Sequence, residues 1–538
     1  MKRNRIFKIF SIGLVTSMLF ITACEKDVLD LMPLNSVGYE DAFNTPAMCE
    51  LSMVGCYDAA QSGYYPGNNQ RRGYPFGAAS IEQGDMRGED MLNVQAFFAI
   101  TYGSTYGTSS PNGQAMWECT YQMINKINIC IEGFQLAATK GTITDAKAKE
   151  YEGEARFLRA LGYHELLIHF ARPFKETADG SHMGVPLNIV PINSIEKVEA
   201  AKSAGRATVK QVYDQILQDL DYAEANLPAT RTGGLKISRA TKGAAIGAKT
   251  RIYQHLGNSA KVIEEAAKIV NSSFESPVGG YKLTASPDGP FTNNSGNTES
   301  MFSVENTELD NATVNGSLSQ FYTSVRSLVC ISPIIYNADF WVAADKRRTL
   351  LITNSTAYSS KAPYWSNKYQ GKEKMTDWAP ILRYAEVLLN YAEAEVRTNG
   401  KTQLAVDLLN KVRNRSVTDA ASQFTLASFA DVPSLMKAIL NERRIEFLGE
   451  GRRWSDIHRL AKDPVYFVAG NPGVSGVPAK ANFGNLATTT WNAASGVVSP
   501  SVLTILPYDY SDKRYVFPIP DSETSTNPKL KTQQNPGW

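Results

Sequence analysis

The sequence predicts an all-α dominated fold: a scaffold of tetratricopeptide-like helical hairpins with long irregular loops and a few short strands. Amphipathic segments at helical spacing recur along most of the chain, and two of them share the order helix, glycine turn, helix. Polar stretches rich in glycine and asparagine separate these segments, which is typical of loops displayed on a helical frame. With 43% apolar residues, the chain can bury a large core.

Five helices outside the repeat are expected from apolar periodicity and from signals at helix ends. In the first, Thr45 is a candidate N-cap and Pro46 occupies the first helical position. Pro228 ends the fourth, because a proline disfavours helical backbone at the residue before it. The predicted spans are Thr45–Ala60, Met116–Gln135, Thr144–Phe170, Thr208–Leu227 and Leu435–Leu448.

Two helical hairpins are predicted around glycine turns. Thr241–Ser272 turns at Gly257, and Ile381–Arg415 turns at Gly400. Aligning the two glycines places RIYQHLGNSAKVIEEAAKIV beside AEVRTNGKTQLAVDLLNKVR, with small residues on each second helix. This is a degenerate repeat of tetratricopeptide type, in which each hairpin contacts mainly its neighbours.

Two long stretches without clear periodicity interrupt the helices, Gln61–Gln114 and Phe274–Ala379. Loops longer than about 12–15 residues in a compact protein are usually functional or disordered. We therefore expect the ligand-binding surface on these stretches, displayed by the helical frame.

The amino-terminal residues predict export. Basic residues precede an apolar stretch, Ile9–Phe20, that is too short to span a membrane, which takes about 20 residues. Residues 1–23 are therefore predicted to be a cleaved signal peptide. The small residues before Cys24 resemble the bacterial lipobox, so Cys24 is the predicted lipidation site and residues 24–35 a tether. The alternative is an ordinary secreted protein with an incidental cysteine.

Charge and cysteine content exclude two classes of function. Removing residues 1–23 takes away four of the 55 basic side chains and none of the 53 acidic ones, so the mature chain is near neutral. A nucleic-acid partner is therefore not expected. The cysteines after Cys24 have no CxxC spacing, and we expect buried thiols rather than a disulfide framework or a zinc site. They are Cys49, Cys56, Cys119, Cys130 and Cys330.

Catalysis has weak support. His164 and His169 flank Glu165, but they are five residues apart, whereas the HExxH zinc motif places its ligands four apart. We expect no metal and no cofactor. Acidic residues in the first irregular stretch leave a glycoside hydrolase open as an alternative, because a glycosidase needs two carboxyl groups. These are Glu82, Asp85, Glu89 and Asp90. The dense charges over Glu442–Asp456 are expected to form a structural network.

Aromatic and arginine side chains alternate in the first irregular stretch. A pyranose offers an apolar face to an aromatic ring, while arginine and carboxylate groups satisfy its hydroxyls. Packing of the loop onto the body is an equally good explanation for each ring singly, but as a group they favour a binding surface. The residues are Tyr64, Tyr65, Arg71, Arg72, Tyr74, Phe76, Tyr102 and Tyr106, with Asp85 as a polar partner.

Seven strings in order along the mature chain resemble the RagB/SusD family of outer-membrane nutrient-binding lipoproteins. They are CEKDVLDLMP, GEARFLRALGYHELL, ATVKQVYDQILQDLDYAEANLP, ATKGAAIGAKTRIYQHLGN, PILRYAEVLLNYAEAEVR with DLLNKVRNR, ILNERRIEFLGEGRRWSDIHRL and VFPIPDSETSTNPKLKTQQNPGW. The resemblance implies an N-terminal region, 36–230, and a C-terminal region, 231–538, that together form one composite helical fold.

The resemblance also implies function. Glu25, Asp27 and Asp30 resemble the acidic signal that sends such lipoproteins to the cell surface. The implied partner is a TonB-dependent transporter of SusC type, over which the chain would close as a non-catalytic lid on an oligosaccharide or a peptide. Trp365 and Trp378 are further candidates for stacking on the ligand, whereas Trp341 is expected to pack in the scaffold.

Overall fold

The computed structural model of the protein describes residue 38 and residues 41–63, 71–463 and 476–538. Helices dominate, as the sequence predicts. Those of eight or more residues are α1 (Pro46–Gln61), α2 (Ala78–Arg87), α3 (Pro111–Thr139), α4 (Asp145–Phe170), α5 (Ile195–Lys202), α6 (Val209–Asn226), α7 (Lys242–His255), α8 (Ser259–Ile269), α9 (Tyr384–Asn399), α10 (Gln403–Arg413), α11 (Val432–Glu446) and α12 (Arg452–Leu460).

Threonine side chains begin five of these helices. Each accepts a hydrogen bond from a backbone N–H of the first turn, which otherwise has no partner within the helix. Thr45, the predicted N-cap of α1, accepts from the amide of Met48 at 3.2 Å. The five caps are Thr45, Thr144, Thr208, Thr241 and Thr402.

The helices pack as successive antiparallel neighbours. α4 lies between α3 and α6, and α7 contacts α6 and then α8. α8 packs against α9, which packs in turn against α10 and α11. Gly257 and Gly400 both adopt positive φ, +69° and +77°, at the ends of α7 and α9. The two predicted hairpins are therefore confirmed.

In the described ranges, four pairs of short antiparallel strands accompany the helices. β1 (Met91–Asn93) pairs with β3 (Val329–Ile331), and β2 (Ser300–Val304) pairs with β6 (Ala379–Arg383). The other two pairs are β4 (Ile352–Asn354) with β5 (Tyr364–Ser366) and β7 (Gly476–Val477) with β8 (Tyr508–Asp509). Ile381–Arg383, predicted as helix, is therefore strand, because pairing with β2 overrides the local helical pattern.

The first irregular stretch differs from its prediction. It contains α2 and β1 and ends inside α3, so Gln61–Gln114 is not one long loop. Every residue of α2 is buried. Because α2 buries charged residues such as Glu82, Asp85 and Arg87 together with its apolar ones, its sequence lacks the separate apolar and polar faces that reveal an amphipathic helix.

The carboxyl-terminal part of the chain returns to α4. The indole of Trp454 in α12 donates to the carbonyl of Ile168 at 2.8 Å, and the amide of Phe517 donates to that of His169 at 2.9 Å. The side-chain amide of Asn535 donates to the carbonyl of Phe170, also at 2.8 Å. One hydrophobic cluster includes residues from Phe43 to Ile519, so sequence-distant segments share a core.

A buried network of ion pairs joins the strands to the last helices. Arg383 of β6 contacts Glu299, Glu446 and Glu450 at 2.5–2.8 Å. Arg443 pairs with Asp456 at 2.9 Å. Removing one partner of such a pair leaves an uncompensated buried charge, at a cost of about 3–5 kcal/mol. The structural role predicted for the charges of Glu442–Asp456 is confirmed.

The five cysteines of the described residues are buried thiols that form no disulfide with one another, as expected. Within the same ranges, no helix is both long and apolar enough to cross a membrane. The described residues also contain no group of three or more histidine, cysteine, aspartate or glutamate side chains arranged to hold a metal ion.

Candidate functional site

Several predicted functional residues lie outside the described ranges. They are the lipidation site Cys24, the acidic residues Glu25, Asp27 and Asp30, and two candidate stacking residues, Tyr64 and Tyr65. Their roles, together with the signal peptide and the tether, stay predictions.

Six predicted ligand contacts are buried in the structure. Tyr102 donates its hydroxyl to the carbonyl of Ala481 at 2.7 Å, and Tyr106 packs edge-on against Phe517, with ring centroids 4.7 Å apart. The indole of Trp365 donates to the carbonyl of Ser355 at 3.0 Å. The six residues are Tyr74, Asp85, Tyr102, Tyr106, Trp365 and Trp378.

Burial of these six side chains corrects the expected geometry. Residues of the carboxyl-terminal part contact Tyr102 and Tyr106, so these two rings are not exposed to a ligand in this structure. The packing explanation considered for each ring singly fits its position here. Trp341 is buried too, with the guanidinium of Arg348 4.2 Å from its ring centroid, as expected for a scaffold residue.

Arg71 and Arg72 are partly exposed, and they join the two predicted loop regions. Arg71 forms an ion pair with Asp310 at 3.2 Å. The guanidiniums of Arg72 and Arg326 lie 5.1 Å and 5.6 Å from the ring centroid of Phe97. The structure therefore brings both stretches to one surface, where ligand binding by Arg71 and Arg72 stays a prediction.

The four acidic residues considered for hydrolysis are buried. Asp85 accepts from the hydroxyl of Tyr322 at 2.7 Å and from the amide of Gly451 at 3.0 Å, and burial raises its pKa to about 7. Burial alone would raise the pKa of Glu89, yet the guanidiniums of Arg453 and Arg444 lower it to about 2. Asp90 pairs with Arg444, and Glu82 is fully buried. A substrate therefore has no access to these carboxyl groups in this conformation.

Aromatic residues that the sequence analysis did not single out lie on the insertion Phe274–Ala379 and on the carboxyl-terminal part of the chain. Tyr336 and Tyr364 stack with centroids 4.1 Å apart and planes at 17°. Trp491 meets both edge-on at 5.7 Å and 5.4 Å, and Tyr358 lies 6.1 Å from Phe483. We call Tyr336, Tyr358, Tyr364, Phe483 and Trp491 the aromatic cluster.

Members of the aromatic cluster are accessible. Tyr358, in the turn between β4 and β5, is 45% exposed, and the other four are half-buried. Burial raises the pKa of Tyr336, and its neighbour Tyr364 raises it further, so the phenol stays neutral. The cluster therefore offers uncharged ring faces and hydroxyl groups to a ligand.

Hydrogen bonds hold the cluster in place. The buried Asn337 donates to the carbonyls of Thr490 and Val497 at 2.8 Å and 2.9 Å and accepts from the amide of Asn492 at 2.9 Å. The indole of Trp491 donates to the carbonyl of Lys361 at 2.9 Å. The loops that carry the rings are thus fixed to each other, which lowers the entropy cost of binding.

The aromatic cluster and Phe97, the ring beside Arg72 and Arg326, follow opposite ends of one strand pair. Met91 pairs with Ile331 and Asn93 with Val329, so the chain leaves β1 toward Phe97 and leaves β3 toward Tyr336 in opposite directions. An accessible aromatic platform with hydroxyls and backbone groups around it suits stacking on a sugar ring.

Comparisons with known proteins place the chain in a family. A family model described as the SusD family matches residues 341–538, and one described as starch-binding associating with outer membrane matches residues 63–254. The chain belongs to the SusD/RagB family. The resemblance drawn from the sequence is confirmed, and the family is one of glycan-binding proteins associated with the outer membrane.

Relatives in the SusD/RagB family match the chain over most of its length. SusD-like protein P2 of Formosa agariphila is 23% identical over 99% of this chain and all of that protein. A SusD-like protein of Bacteroides ovatus is 23% identical over 82% of this chain and 81% of its own. The chain is thus similar to SusD-like proteins from end to end.

Solved structures of SusD-like proteins share the fold. A SusD superfamily protein from Bacteroides fragilis has a TM-score of 0.72 at 25% identity, covering 91% of this chain and 99% of that one. Surface glycan-binding protein A from Bacteroides uniformis has a TM-score of 0.66 at 20% identity, with coverage of 91% and 99%. The helix-rich fold with few short strands is therefore confirmed.

The sequence analysis did not single out the rings of the aromatic cluster. Tyr336, Tyr358 and Tyr364 lie within the predicted insertion Phe274–Ala379, whereas Trp491 and Phe483 lie in the carboxyl-terminal part. The signal that could have found them is the repetition of aromatic residues among Ser, Thr and Asn, as in TAYSSKAPYW and ATTTWN. Which rings face solvent depends on contacts between distant loops.

Proposed function

We propose that this chain is a surface-exposed, non-catalytic lipoprotein that captures a glycan and closes as a lid over a TonB-dependent transporter of SusC type. The observation that carries the glycan part is the aromatic cluster, an accessible and fixed platform on the loops of a chain whose family model is described as starch-binding. A similar protein of Bacteroides uniformis is a surface glycan-binding protein, which supports the same ligand class.

Attachment and closure follow from the amino-terminal residues in this proposal. Cys24 carries the lipid, Glu25, Asp27 and Asp30 direct the chain to the cell surface, and residues 24–35 act as the flexible link on which the lid moves. Regions 36–230 and 231–538 move together as one composite fold. Tyr64, Tyr65, Arg71 and Arg72 are proposed to extend the ligand contact beyond the aromatic cluster.

The test is glycan binding by the full chain carrying Cys24→Ala, which removes the lipid. An oligosaccharide array identifies a ligand, and calorimetry measures its affinity for three variants. Tyr358→Ala and Trp491→Ala are expected to weaken binding roughly 5–30-fold, as loss of an aromatic anchor costs about 1–2 kcal/mol. Tyr253→Ala, a partly exposed tyrosine of α7, is the matched control and should bind normally.

Three results would redirect the proposal. An array that stays silent while peptides bind would replace the glycan with a peptide, the alternative ligand of the family. Release of new reducing ends from a bound oligosaccharide would make the chain a hydrolase. Unchanged affinity in both cluster variants would move the glycan site away from the aromatic cluster.

A further inference from the structure

Two arginine side chains from distant parts of the chain meet at one phenylalanine ring. Phe97 lies in a short turn of helix, Ala96–Phe98, and is half-buried. The guanidinium carbons of Arg72 and Arg326 lie 5.1 Å and 5.6 Å from its ring centroid, within the range of cation–π attraction. The function proposed above uses neither Phe97 nor Arg326. We call Arg72, Phe97, Val314, Asn315, Val325 and Arg326 the Phe97 site.

Backbone contacts hold the loops of the Phe97 site together. A Cβ at Gly316 would lie 3.0 Å from the backbone carbonyl carbon of Arg72, so a glycine is what lets the two loops approach this closely. The side-chain amide of Gln95 donates to the carbonyls of Arg326 and Ser327, the latter at 3.0 Å. The two arginines are therefore placed by a fixed framework and not by their own side chains alone.

The charge of Arg326 has no acidic partner among the described residues. Its Nη1 donates to the carbonyl of Val314 at 2.8 Å and to the side-chain oxygen of Asn315 at 3.0 Å. These bonds orient the guanidinium toward one side. Its Nε and Nη2 donate to none of the residues that the structure describes, although the side chain is only partly exposed. Two donors of a fixed guanidinium are thus left for an acceptor from outside.

Acidic residues of the same region do not supply the missing charge. Asp310 forms its ion pair with Arg71, at 3.2 Å. Glu82 of α2 is close enough for the charge of Arg326 to lower its pKa, but burial and the neighbouring Asp85 raise that pKa by more, to well above its ordinary value. The Glu82 carboxyl is therefore uncharged at neutral pH and leaves Arg326 uncompensated.

Like charges and apolar neighbours together indicate what the Phe97 site suits. Two guanidiniums beside one ring repel each other, and an anion next to them offsets that repulsion. Val314 and Val325 are neighbours of Arg326 and are 43% and 52% exposed. They offer apolar contact to the C–H groups of a sugar, so the site suits an anion that a sugar carries more than a free inorganic ion.

We propose that the Phe97 site binds the oxyanion of an acidic sugar, a carboxylate or a sulfate, through Nε and Nη2 of Arg326, with Arg72 beside it. The planar fork of donors on a guanidinium matches two oxygens of such a group. This inference rests on the proposed function, because the acidic sugar is part of the captured glycan. It names the ligand class as an anionic glycan.

Calorimetric titration of the full Cys24→Ala chain tests the site at about pH 7 and low ionic strength. The probes are glucuronate with its neutral counterpart glucuronamide, and glucose 6-sulfate with its neutral counterpart glucose. We expect at least one acidic sugar to bind roughly tenfold or more tightly than its counterpart, because the neutral sugar lacks the charge-assisted hydrogen bonds. The pair that shows the difference identifies carboxylate or sulfate. Added salt should reduce the preference, since Arg326 is partly exposed.

Variants assign the preference to the Phe97 site. Arg326→Gln keeps a donor for Val314 but removes the charge, and it should abolish the preference for the acidic sugar. Arg326→Lys keeps the charge without the fork and should fall between the two proteins. Arg514→Gln is the matched control, because Arg514 is an exposed arginine that already pairs with Asp512, at 2.6 Å. It should leave the preference unchanged.

Several outcomes would overturn the inference. They are equal binding of each acidic sugar and its neutral counterpart, binding of sodium acetate or sodium sulfate as tight as that of the acidic sugars, and a preference that persists in Arg326→Gln folded by circular dichroism. Failure here is distinct from failure of the proposed function. Neutral glycans that bind through Tyr358 without any preference for acidic sugars would remove this site and leave glycan capture standing.

Discussion

His164 lies in the interior beside other histidines. Its ring centroid is 4.5 Å from that of His255, which is 6.3 Å from His458. Neither ring nitrogen of His164 forms a hydrogen bond with the described residues. Burial and the nearby charges of Arg251 and Arg452 lower the pKa of His164 well below its ordinary value. The folded chain therefore binds fewer protons here than the unfolded chain below about pH 6.5.

This histidine predicts a pH-dependent difference in stability. Because the pKa of His164 is lower in the folded state than in the unfolded state, the folded state loses stability as the pH falls below the unfolded value. His164→Phe should remove that loss. The free energy of unfolding of the variant, relative to that of the unsubstituted protein, should therefore increase below about pH 6.5, by up to about 1.4 kcal/mol per pH unit. Urea unfolding of both proteins at several values between about pH 5 and 8 measures it, and parallel pH profiles would contradict it. Groups such as Asp85 titrate in both proteins and cancel.

Residue roles were predictable from sequence where they depend on local backbone. Thr45 is an N-cap because its side chain reaches an amide three residues on, and sequence reveals that spacing. Tyr102 depends on Ala481, which is far along the chain, and sequence gave no sign of that contact. The exposed rings of the aromatic cluster were missed for the same reason.

At the scale of elements, the hairpin turns contain glycines that can be recognised in the sequence and that the backbone conformation of the turn favours. Gly400 ends α9 with φ +77° and donates its amide to the carbonyl of Val396 at 3.0 Å. A Cβ at Gly400 would approach only Val432, at 3.7 Å, so space is available there. The cost of a side chain at this position is therefore the backbone conformation itself.

Gly400→Ala should lower the free energy of unfolding by about 1–3 kcal/mol, the cost of holding an L-residue in that region. Gly113→Ala is the matched control within helix α3, where the added Cβ would meet only Phe517 at 4.0 Å. Since alanine favours helix over glycine, that variant should gain about 0.5–1 kcal/mol. Denaturant unfolding of the two variants compares them, and equal midpoints would be inconsistent with strain at Gly400.

Element prediction succeeded for amphipathic helices and failed where burial is complete. α4 and α6 carry apolar residues at helical spacing, so their ranges were predicted to within a residue or two. α2 is buried on every side, and β6 is strand because β2 pairs with it. Neither complete burial nor pairing with a distant strand can be recognised from apolar periodicity in the sequence.

At the scale of the whole molecule, attachment to the membrane rests on Cys24 alone in our proposal. The described part of the chain contains no helix able to span a membrane. Because the proposed lipid on Cys24 is the anchor, Cys24→Ala should move the protein from the membrane fraction to the soluble fraction, which immunoblotting of fractionated cells measures. Cys49→Ala, a buried thiol, is the control and should stay with the membrane. Membrane attachment of the Cys24→Ala protein would place the anchor elsewhere.

Family and architecture were predictable at this scale because several strings and two glycine hairpins agree along the whole chain. The ligand was not, since its chemistry depends on loops that meet only after folding. Tyr336 and Trp491, for example, are in contact although they belong to opposite ends of the carboxyl-terminal half.

Because the carboxyl-terminal segment packs against the end of α4, that helix can complete its hydrogen bonds only late in synthesis. Synthesis delivers the amino terminus first, but the carbonyls at the end of α4 receive Trp454, Phe517 and Asn535 as partners only when the last sixth or so of the chain has emerged. Until then, the first helices have an open core. In our proposal, the end that carries the lipid must therefore wait for the end that is made last, and a chain cut short before Asn535 would remain incompletely folded.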